Sequence, residues 1–165
     1  MNIEILDARH AEAYRQLRLE ALEQYPEAFA SSYEEEKDFP LERFHRRLTG
    51  TDSTTLGAWH ESELIGSVTL VYERKPKLQH RANIMAMYVK PSHRGSGIGK
   101  ELMQQAIRTA RSAGTIEQIY LSVMAHNEPA KRLYQALGFE AYGKDWRALK
   151  IGQTYYDEEL MALFL

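Results

Sequence analysis

The sequence predicts a mixed α/β domain in which helices cover both faces of a central sheet. Three observations support this fold class: strand-like and helix-like patterns follow one another along the chain, no linker or repeat interrupts them, and the length suits one core. The chain has 165 residues, 44% of them hydrophobic and 27% charged. These values are typical of one globular domain, which we expect to cover residues 1–165.

The first half of the chain predicts a strand, two helices and a hairpin. Ile3 and Ile5 alternate with polar residues, as in a short strand. Asp7 can then cap a helix whose apolar residues recur at three- and four-residue spacing. Residues 34–48 predict a second helix, broken around Pro40. Two runs rich in β-branched and aromatic residues flank a polar turn and indicate an antiparallel hairpin, at residues 54–59 and 64–72.

The second half predicts two strands that each lead into a helix, followed by a closing hairpin. The strands and helices fall at residues 82–89, 98–110, 116–124 and 127–137. Pro91 stops the first of these strands, and Gly114 and Gly138 end the two helices. Two further strand-like runs flank Ile151-Gly152-Gln153, which is a hairpin signal. The whole chain therefore predicts about seven strands.

Charge and residue usage exclude several classes of function. The 21 basic and 23 acidic side chains give a formal net charge of -2, which argues against a nucleic-acid partner. Cysteine is absent, so a thiol nucleophile and zinc–thiolate sites are excluded, and the six histidines show no pair at metal-ligand spacing. Residues 1–10 are too polar for a signal peptide, and no apolar stretch could span a bilayer. We expect a cytoplasmic protein with no metal and no membrane partner.

The most informative motif is the segment Arg94–Lys100, R-G-S-G-I-G-K, at the predicted start of a helix. Bare backbone amides at a helix N-terminus form an anion site that suits a pyrophosphate. A P-loop would need a glycine in place of Arg94 and a serine or threonine in place of Glu101, and a dinucleotide fingerprint needs G-x-G-x-x-G after the first strand. Neither fits, which leaves a general anion site, or a merely flexible turn as the plain alternative.

Two ordered motifs resemble the GNAT superfamily of N-acetyltransferases. They are I-M-A-M-Y-V-K-P with the following R-G-S-G-I-G, and S-V-M-A-H-N-E-P-A-K-R-L-Y-Q-A-L-G-F-E, and they cover residues 82–140. The closing Y-Y-D-E-E-L-M-A-L-F-L is similar to the last strand of that family. The resemblance implies a mostly antiparallel sheet with two splayed strands that admit acetyl-coenzyme A (acetyl-CoA). It also implies an enzyme that transfers the acetyl group, by direct attack on the thioester, to a primary amine of a small molecule or protein.

The resemblance further implies which residues bind acetyl-CoA. The pantetheine arm would pair with the backbone of Met87, Tyr88 and Val89, where a bulge would free an amide for the thioester carbonyl. The pyrophosphate would lie on the backbone amides of Arg94, Gly95, Ser96, Gly97, Ile98, Gly99 and Lys100.

Two residues of the last predicted helix have a structural reading beside the one that the resemblance implies. Tyr134 would donate a proton to the departing thiolate and would bind the cofactor, yet an aromatic residue on the apolar stripe of a helix is usually part of the core. Asn127 would bond to the pantetheine arm, yet it is also a good helix N-cap. Both readings stay open for each residue.

The general base is the point at which the chain departs from the family pattern. Many relatives carry a glutamate where this chain has Met85. A carboxylate from the run Glu34–Glu36, a water chain, or an amine that arrives neutral could replace it. The same run is also typical of a solvated helix start.

Expectations about the acceptor and about partners follow from the same resemblance. In relatives the second predicted helical region, which here contains the run Glu34–Glu36, contributes to the acceptor pocket. Tyr33, Glu35 and Phe39 are therefore candidates to contact the amine. A non-catalytic coenzyme A binding module is the alternative function, because the usual base is missing. The apolar end M-A-L-F-L suggests an edge strand that could pair with a second copy in a homodimer.

Overall fold

The computed structural model describes residues 1–165 and contains one seven-stranded sheet. The elements are β1 (Asn2–Ile5), α1 (Ala11–Gln24), α2 (Tyr33–Glu36), α3 (Leu41–Thr49), β2 (Ser53–His60), β3 (Glu63–Tyr72), β4 (Arg81–Val89), α4 (Ile98–Ser112), β5 (Gln118–Met124), α5 (Glu128–Ala136), β6 (Glu140–Ile151) and β7 (Thr154–Phe164). The order is the predicted one, including the break between α2 and α3 at Pro40. No helix of the structure has the length and apolar character needed to cross a membrane.

The sheet is antiparallel except at one junction. Its strand order is β1-β2-β3-β4-β5-β7-β6, and only β4 and β5 run parallel. Residues 81–83 of β4 pair with residues 118–120 of β5, and the pairing stops there. The remaining halves of the two strands therefore separate, which confirms the splayed strand pair.

A bulge bends β4 within the separated half. Met85 pairs with Thr69 of β3, but Tyr88 pairs with Ser67, so the two strands lose register between these pairs. Ala86 has a φ of 52°, a left-handed conformation that is uncommon for a residue with a side chain. The extra residue re-aims the backbone of β4 immediately before the glycine segment.

Local sequence signals explain where the helices begin. The Asp7 carboxylate accepts a hydrogen bond of 2.9 Å from the backbone N–H of Arg9 and caps a 3-10 turn that leads into α1. Ser32 and Glu35 form a reciprocal capping box at α2, with the Glu35 carboxylate 2.7 Å from the Ser32 amide. These caps satisfy backbone donors that the first turn of a helix leaves free.

Apolar side chains pack against both faces of the sheet. One cluster joins the apolar stripe of α4, including Leu102 and Met103, to buried residues of β2 to β5. The other joins Leu17 of α1 and Phe44 of α3 to Leu6 and other buried residues beside β3. Helices thus cover both faces, as the sequence predicts.

The final strand lies inside the sheet and is not the edge that its apolar sequence suggests. β7 pairs with β5 on one side and with β6 on the other, so β6 is the edge strand. Met161 and Leu163 are buried in the core cluster, Ala162 is buried on the opposite face of the strand, and Phe164 is exposed. The edge strand β6 is irregular, because its pairing with β7 shifts between Asp145 and Leu149 and Arg147 has a φ of 56°.

Two phenylalanines, one buried in the core beside α1 and α3 and one exposed, should contribute very different amounts to the stability of the fold. Phe44 is 0% exposed and Phe164 is 69% exposed. We expect Phe44→Ala to lower the free energy of unfolding by about 3–5 kcal/mol, through lost burial and a residual cavity. The matched control Phe164→Ala should change it by less than about 0.5 kcal/mol. Urea unfolding followed by circular dichroism measures both, and equal losses would contradict the packing described.

Candidate functional site

A cleft of about 1160 Å³ opens where β4 and β5 separate. Its walls come from the bulged half of β4, the glycine segment, α5, the loop after α1 and the β6–β7 hairpin. The predicted site residues that line it are Met87, Tyr88, Val89, Arg94, Gly95, Gly97, Ile98, Gly99, Lys100, Asn127 and Tyr134. Ser96, Tyr33, Glu35 and Phe39 are not among its lining residues.

The glycine segment presents free backbone amides at the start of α4. Gly95 and Gly97 have φ values of 79° and 89°, and a Cβ at either position would meet nothing within 4 Å. Glycine is needed there for backbone conformation and not for space. The amides of residues 95–97 donate to no protein acceptor, and those of residues 98–100 precede the first intrahelical bond, from Glu101 to Gly97. Six consecutive N–H groups and the positive end of the α4 dipole therefore form an anion site.

Arg94 does not contribute a free backbone amide to the anion site, which differs from the expectation for this residue. Its own amide donates to the carbonyl oxygen of Pro91 at 3.2 Å, so it is not one of the free amides. The guanidinium turns back from the glycine segment, with Nε 2.9 Å from the Val89 carbonyl oxygen and Nη1 3.0 Å from the Tyr25 hydroxyl. It also lies 4.4 Å from the centre of the Tyr25 ring. Arg94 thus ties the glycine segment to the end of β4 and to the loop after α1.

Tyr134 is buried, and its hydroxyl forms no hydrogen bond within the protein. The side chain packs edge-on against Phe139, with 6.0 Å between ring centres, and only 7% of the residue is exposed. Burial raises the pKa of the Tyr134 hydroxyl to about 12. The group therefore keeps its proton at neutral pH and is available as a donor to whatever occupies the cleft.

Asn127 caps α5 in the way the structural reading predicts. Its side-chain oxygen accepts a hydrogen bond of 3.2 Å from the backbone N–H of Ala130. The side-chain amide N–H groups are not used by the protein, and the residue lines the cleft. Capping therefore does not consume the whole side chain.

The structure does not bring Tyr33, Glu35 and Phe39 together in the cleft. Glu35 is used in the capping box of α2, and the Phe39 ring lies 3.6 Å from the guanidinium carbon of Arg43. Tyr33 begins α2, outside the cleft. The lining from this region comes instead from the preceding loop, including Phe29 and Ser31.

Glu36 is the only residue of the acidic run that is buried, and it is held in a double ion pair. Its carboxylate accepts bonds from Arg18 at 3.0 and 3.2 Å and from Arg47 at 2.9 and 3.2 Å. Burial on its own would raise the pKa of Glu36, but the hydrogen bonds from the two arginines outweigh it and lower the pKa to about 2. Such a carboxylate is a poor proton acceptor. Glu34 is exposed and paired with Lys37, so this run does not supply a base to the cleft.

Several lining residues escaped the sequence analysis. Arg18 follows Tyr14 by one helical turn on a stripe that is otherwise apolar, and this spacing is the signal that could have identified it. Asp145 and Glu158 face each other in register across β6 and β7, and neither forms an ion pair. Their convergence depends on the irregular pairing of this hairpin, which the sequence does not reveal.

The chain is similar to known acetyltransferases both in sequence and in fold. The family model described as Acetyltransferase (GNAT) family matches residues 14–139. An N-alpha-acetyltransferase of Sulfurisphaera tokodaii is 26% identical over 137 residues, which are 76% of this chain and 78% of that protein. The structure of a GNAT-family acetyltransferase from Streptococcus pneumoniae superposes with a TM-score of 0.89 at 20% identity, over 99% of each chain. The structure of yncA from Salmonella typhimurium, with its cofactor acetyl-CoA, superposes with a TM-score of 0.84 at 21% identity, over 99% of this chain and 93% of that one.

The double ion pair of Glu36 predicts a pH-dependent stability difference. Because the folded-state pKa of about 2 lies below the ordinary value of 4.5, ionised Glu36 stabilises the fold fully above pH 4.5, and this contribution is lost as the pH falls towards 2. We expect Glu36→Gln to lower the free energy of unfolding at pH 7 by about 3 kcal/mol, because it leaves two guanidinium groups without a counter-charge.

The matched control is Glu34→Gln, which removes an exposed carboxylate and should change stability by less than about 0.5 kcal/mol. Urea unfolding of both variants between pH 7 and pH 3 provides the measurement. A difference between wild type and Glu36→Gln that stays constant as the pH falls below 4.5 would count against the low pKa.

Proposed function

This chain belongs to the acetyltransferase (GNAT) family and is an N-acetyltransferase that uses acetyl-CoA; from that premise, we propose that the cleft between β4 and β5 is its acetyl-CoA site. The observation that carries the proposal is the continuity of the cleft. It runs from the free amides of the glycine segment, along the unpaired half of β4, to the hydroxyl of Tyr134.

Each part of acetyl-CoA meets complementary chemistry in this cleft. The pyrophosphate is an anion, and the six amides of residues 95–100 are donors at a helix N-terminus. The pantetheine arm contains two amides, and the separated half of β4 leaves backbone groups near Met87 without a partner strand.

The reaction we propose is direct attack of a neutral amine on the thioester. The nitrogen bonds to the acetyl carbon, the carbonyl oxygen becomes an oxyanion, and the carbon–sulfur bond then breaks. The bulge at Ala86 and Met87 supports a backbone amide as donor to the oxyanion. Tyr134 gives its proton to the departing thiolate, and the attacking nitrogen loses a proton to a base.

We propose Glu158 as the group that receives the amine proton, directly or through water. It lines the cleft and lies in register with Met124, the last residue of β5, where β5 has separated from β4. Its carboxylate is free of ion pairs, unlike that of the neighbouring Glu159, which lies 3.1 Å from Lys131. This assignment replaces the run Glu34–Glu36, whose three carboxylates are engaged elsewhere.

We propose that the acceptor is a primary amine, carried by a small molecule or by a protein. The relative from Sulfurisphaera tokodaii is named as an N-alpha-acetyltransferase, which supports an α-amine among the candidates. We further propose a cytoplasmic location, because acetyl-CoA is supplied inside cells.

Tyr134→Phe tests the function and the proton-donor role together. We expect kcat to fall between about tenfold and a thousandfold, less than the usual effect of a general acid because a thiolate is a good leaving group, with the dissociation constant of coenzyme A unchanged. Tyr120→Phe is the control, because the Tyr120 hydroxyl bonds to Gln118 outside the cleft. Thiol release from acetyl-CoA with a panel of amines measures kcat, and calorimetry measures coenzyme binding.

Two results would contradict this proposal. Coenzyme A binding without thiol release for any amine would indicate a non-catalytic binding module. Equal losses of binding and turnover in Tyr134→Phe would show that the hydroxyl supports the cofactor site and not the proton transfer.

Glu158→Gln tests the proposed base. We expect kcat/KM at pH 7 to fall by about a hundredfold, and the loss to shrink at higher pH, where hydroxide increasingly takes the proton of the attacking nitrogen in place of Glu158. Glu159→Gln removes the adjacent carboxylate, which does not line the cleft, and should keep the pH profile of the wild type. A pH–rate profile of Glu158→Gln parallel to that of the wild type would eliminate Glu158 as the base.

A further inference from the structure

An uncompensated positive charge lies beside the cleft. Arg18 and Arg47, called here the arginine pair, share the single carboxylate of Glu36 and form no other ion pair. Arginine keeps its proton in proteins, so one carboxylate neutralises only one of the two guanidinium groups. The cluster of three buried or half-buried side chains therefore has a net charge of +1.

The arginine pair also has hydrogen-bond donors that the protein does not use. Arg18 donates to Glu36 through Nε and Nη2, and Arg47 donates through Nη1 and Nη2. The remaining Nη1 of Arg18 donates to no protein acceptor, and the only further partner of Arg47 is the Tyr14 hydroxyl, which also lines the cleft. Neither guanidinium is sealed in the core, because the fully buried unpaired side-chain donors are those of Trp59 and Arg81. The unused donors of the arginine pair thus remain accessible.

Both members of the pair line the cleft that contains the glycine segment and Tyr134. The Arg18 side chain is 11% exposed and that of Arg47 is 34% exposed. The Phe29 ring lies 5.1 Å from the Arg18 guanidinium and lines the same cleft. Acetyl-CoA would occupy the part of the cleft along β4 and α5, which leaves the arginine pair to the acceptor.

The second arginine is not needed to satisfy Glu36. Arg18 alone reaches both carboxylate oxygens, at 3.0 and 3.2 Å. Arg47 adds a second charge in a partly desolvated position. The hydrogen bond from Arg47 to Glu36 raises the pKa of Arg47 in spite of this burial, and the cluster still holds one positive charge more than its single carboxylate neutralises. An anionic ligand in the cleft would meet that charge.

The opposite wall of the cleft has the opposite charge. Asp145 and Glu158 lie on β6 and β7, on the far side of β5, and neither pairs with a cation. The arginine pair lies on α1 and α3, which pack over the β1–β3 half of the sheet. A molecule that spans the cleft therefore meets the arginine pair at one end and two unpaired carboxylates at the other, while Glu27 adds a carboxylate from the loop after α1.

Resting on the proposed function, we infer that the acceptor carries an acidic group, a carboxylate or a phosphate, in addition to its primary amine. The arginine pair binds the acidic group, and the amine lies towards Glu158 and the thioester. Planar guanidinium groups suit both acids, because each offers paired N–H donors to paired oxygens. Polyamines and aminoglycosides, which are polycations, do not fit this charge pattern.

Matched acceptors test this inference. The pairs are L-phenylalanine with phenethylamine, and O-phosphoethanolamine with ethanolamine, so each pair differs only in the acidic group. We expect the acidic member of at least one pair to have a kcat/KM at least about tenfold higher in thiol release, since hydrogen bonds to charged groups are worth that much in affinity. The pair with the larger ratio distinguishes a carboxylate from a phosphate.

Arg47→Gln is the diagnostic variant, because it leaves the Arg18–Glu36 pair intact and removes the surplus charge. It should raise KM for the acidic acceptor about tenfold or more and leave KM for the acid-free partner unchanged. Arg46→Gln is the matched control, since it removes an exposed charge from the same helix without lining the cleft. Arg47→Lys should restore part of the loss.

Three outcomes would overturn the inference. The first is that the wild type turns over the acid-free acceptors as well as or better than the acidic ones. The second is that Arg47→Gln raises KM by the same factor for both members of a pair. The third is that Arg46→Gln raises KM for the acidic acceptor as much as Arg47→Gln does. Calorimetry of the acids with the coenzyme-A-loaded protein separates this inference from the proposed function. Binding that Arg47→Gln abolishes supports the arginine pair even without turnover, whereas no binding of either acid overturns it.

Discussion

Only three residue pairs join β4 to β5, and the whole site depends on where this pairing stops. The two strands could not separate if either relied on the other for its hydrogen bonds. β3 holds β4 on one side of the gap, and β7 holds β5 along residues 118–124 on the other. Each strand is thus anchored by its outer neighbour, so the sheet keeps its order while its centre leaves backbone groups free. A ligand that carries amides can complete this interrupted sheet.

The proposed acceptor side of the cleft depends on a different constraint, which is the position of α2. A helix of four residues is too short to be stable by its own hydrogen bonds. The capping box fixes its start, and Glu36 then ties it to α1 through Arg18 and to α3 through Arg47. The same ion pairs that hold three helices together leave positive charge at the cleft. In the acceptor site that we propose, one set of side chains therefore serves both structure and recognition.

Local signals made most of the fold, the backbone of the glycine segment and the cap of α5 predictable. Glycines with positive φ, the cap at Asn127 and the spacing of apolar residues act within a few residues, so the sequence displays them directly. The acceptor side resisted prediction because it depends on which side of a short helix faces inward. Glu35 and Glu36 are adjacent in an acidic run, and only tertiary packing decides that the side chain of the first caps α2 and that of the second is buried. Likewise, the apolar end of the chain reads as an edge, and its place between β5 and β6 follows from long-range pairing.

The irregular pairing of β6 has a consequence for the behaviour of the protein at high concentration. A strand of 12 residues that exposes Tyr142 and Trp146 would offer a template on which further chains could stack into fibres. The shift at Arg147 twists that surface, and Lys144, whose ammonium lies 3.9 Å from the Trp146 ring centre, adds charge beside it. Both features disfavour the stacking of further chains on β6, although the aromatic side chains remain exposed to water.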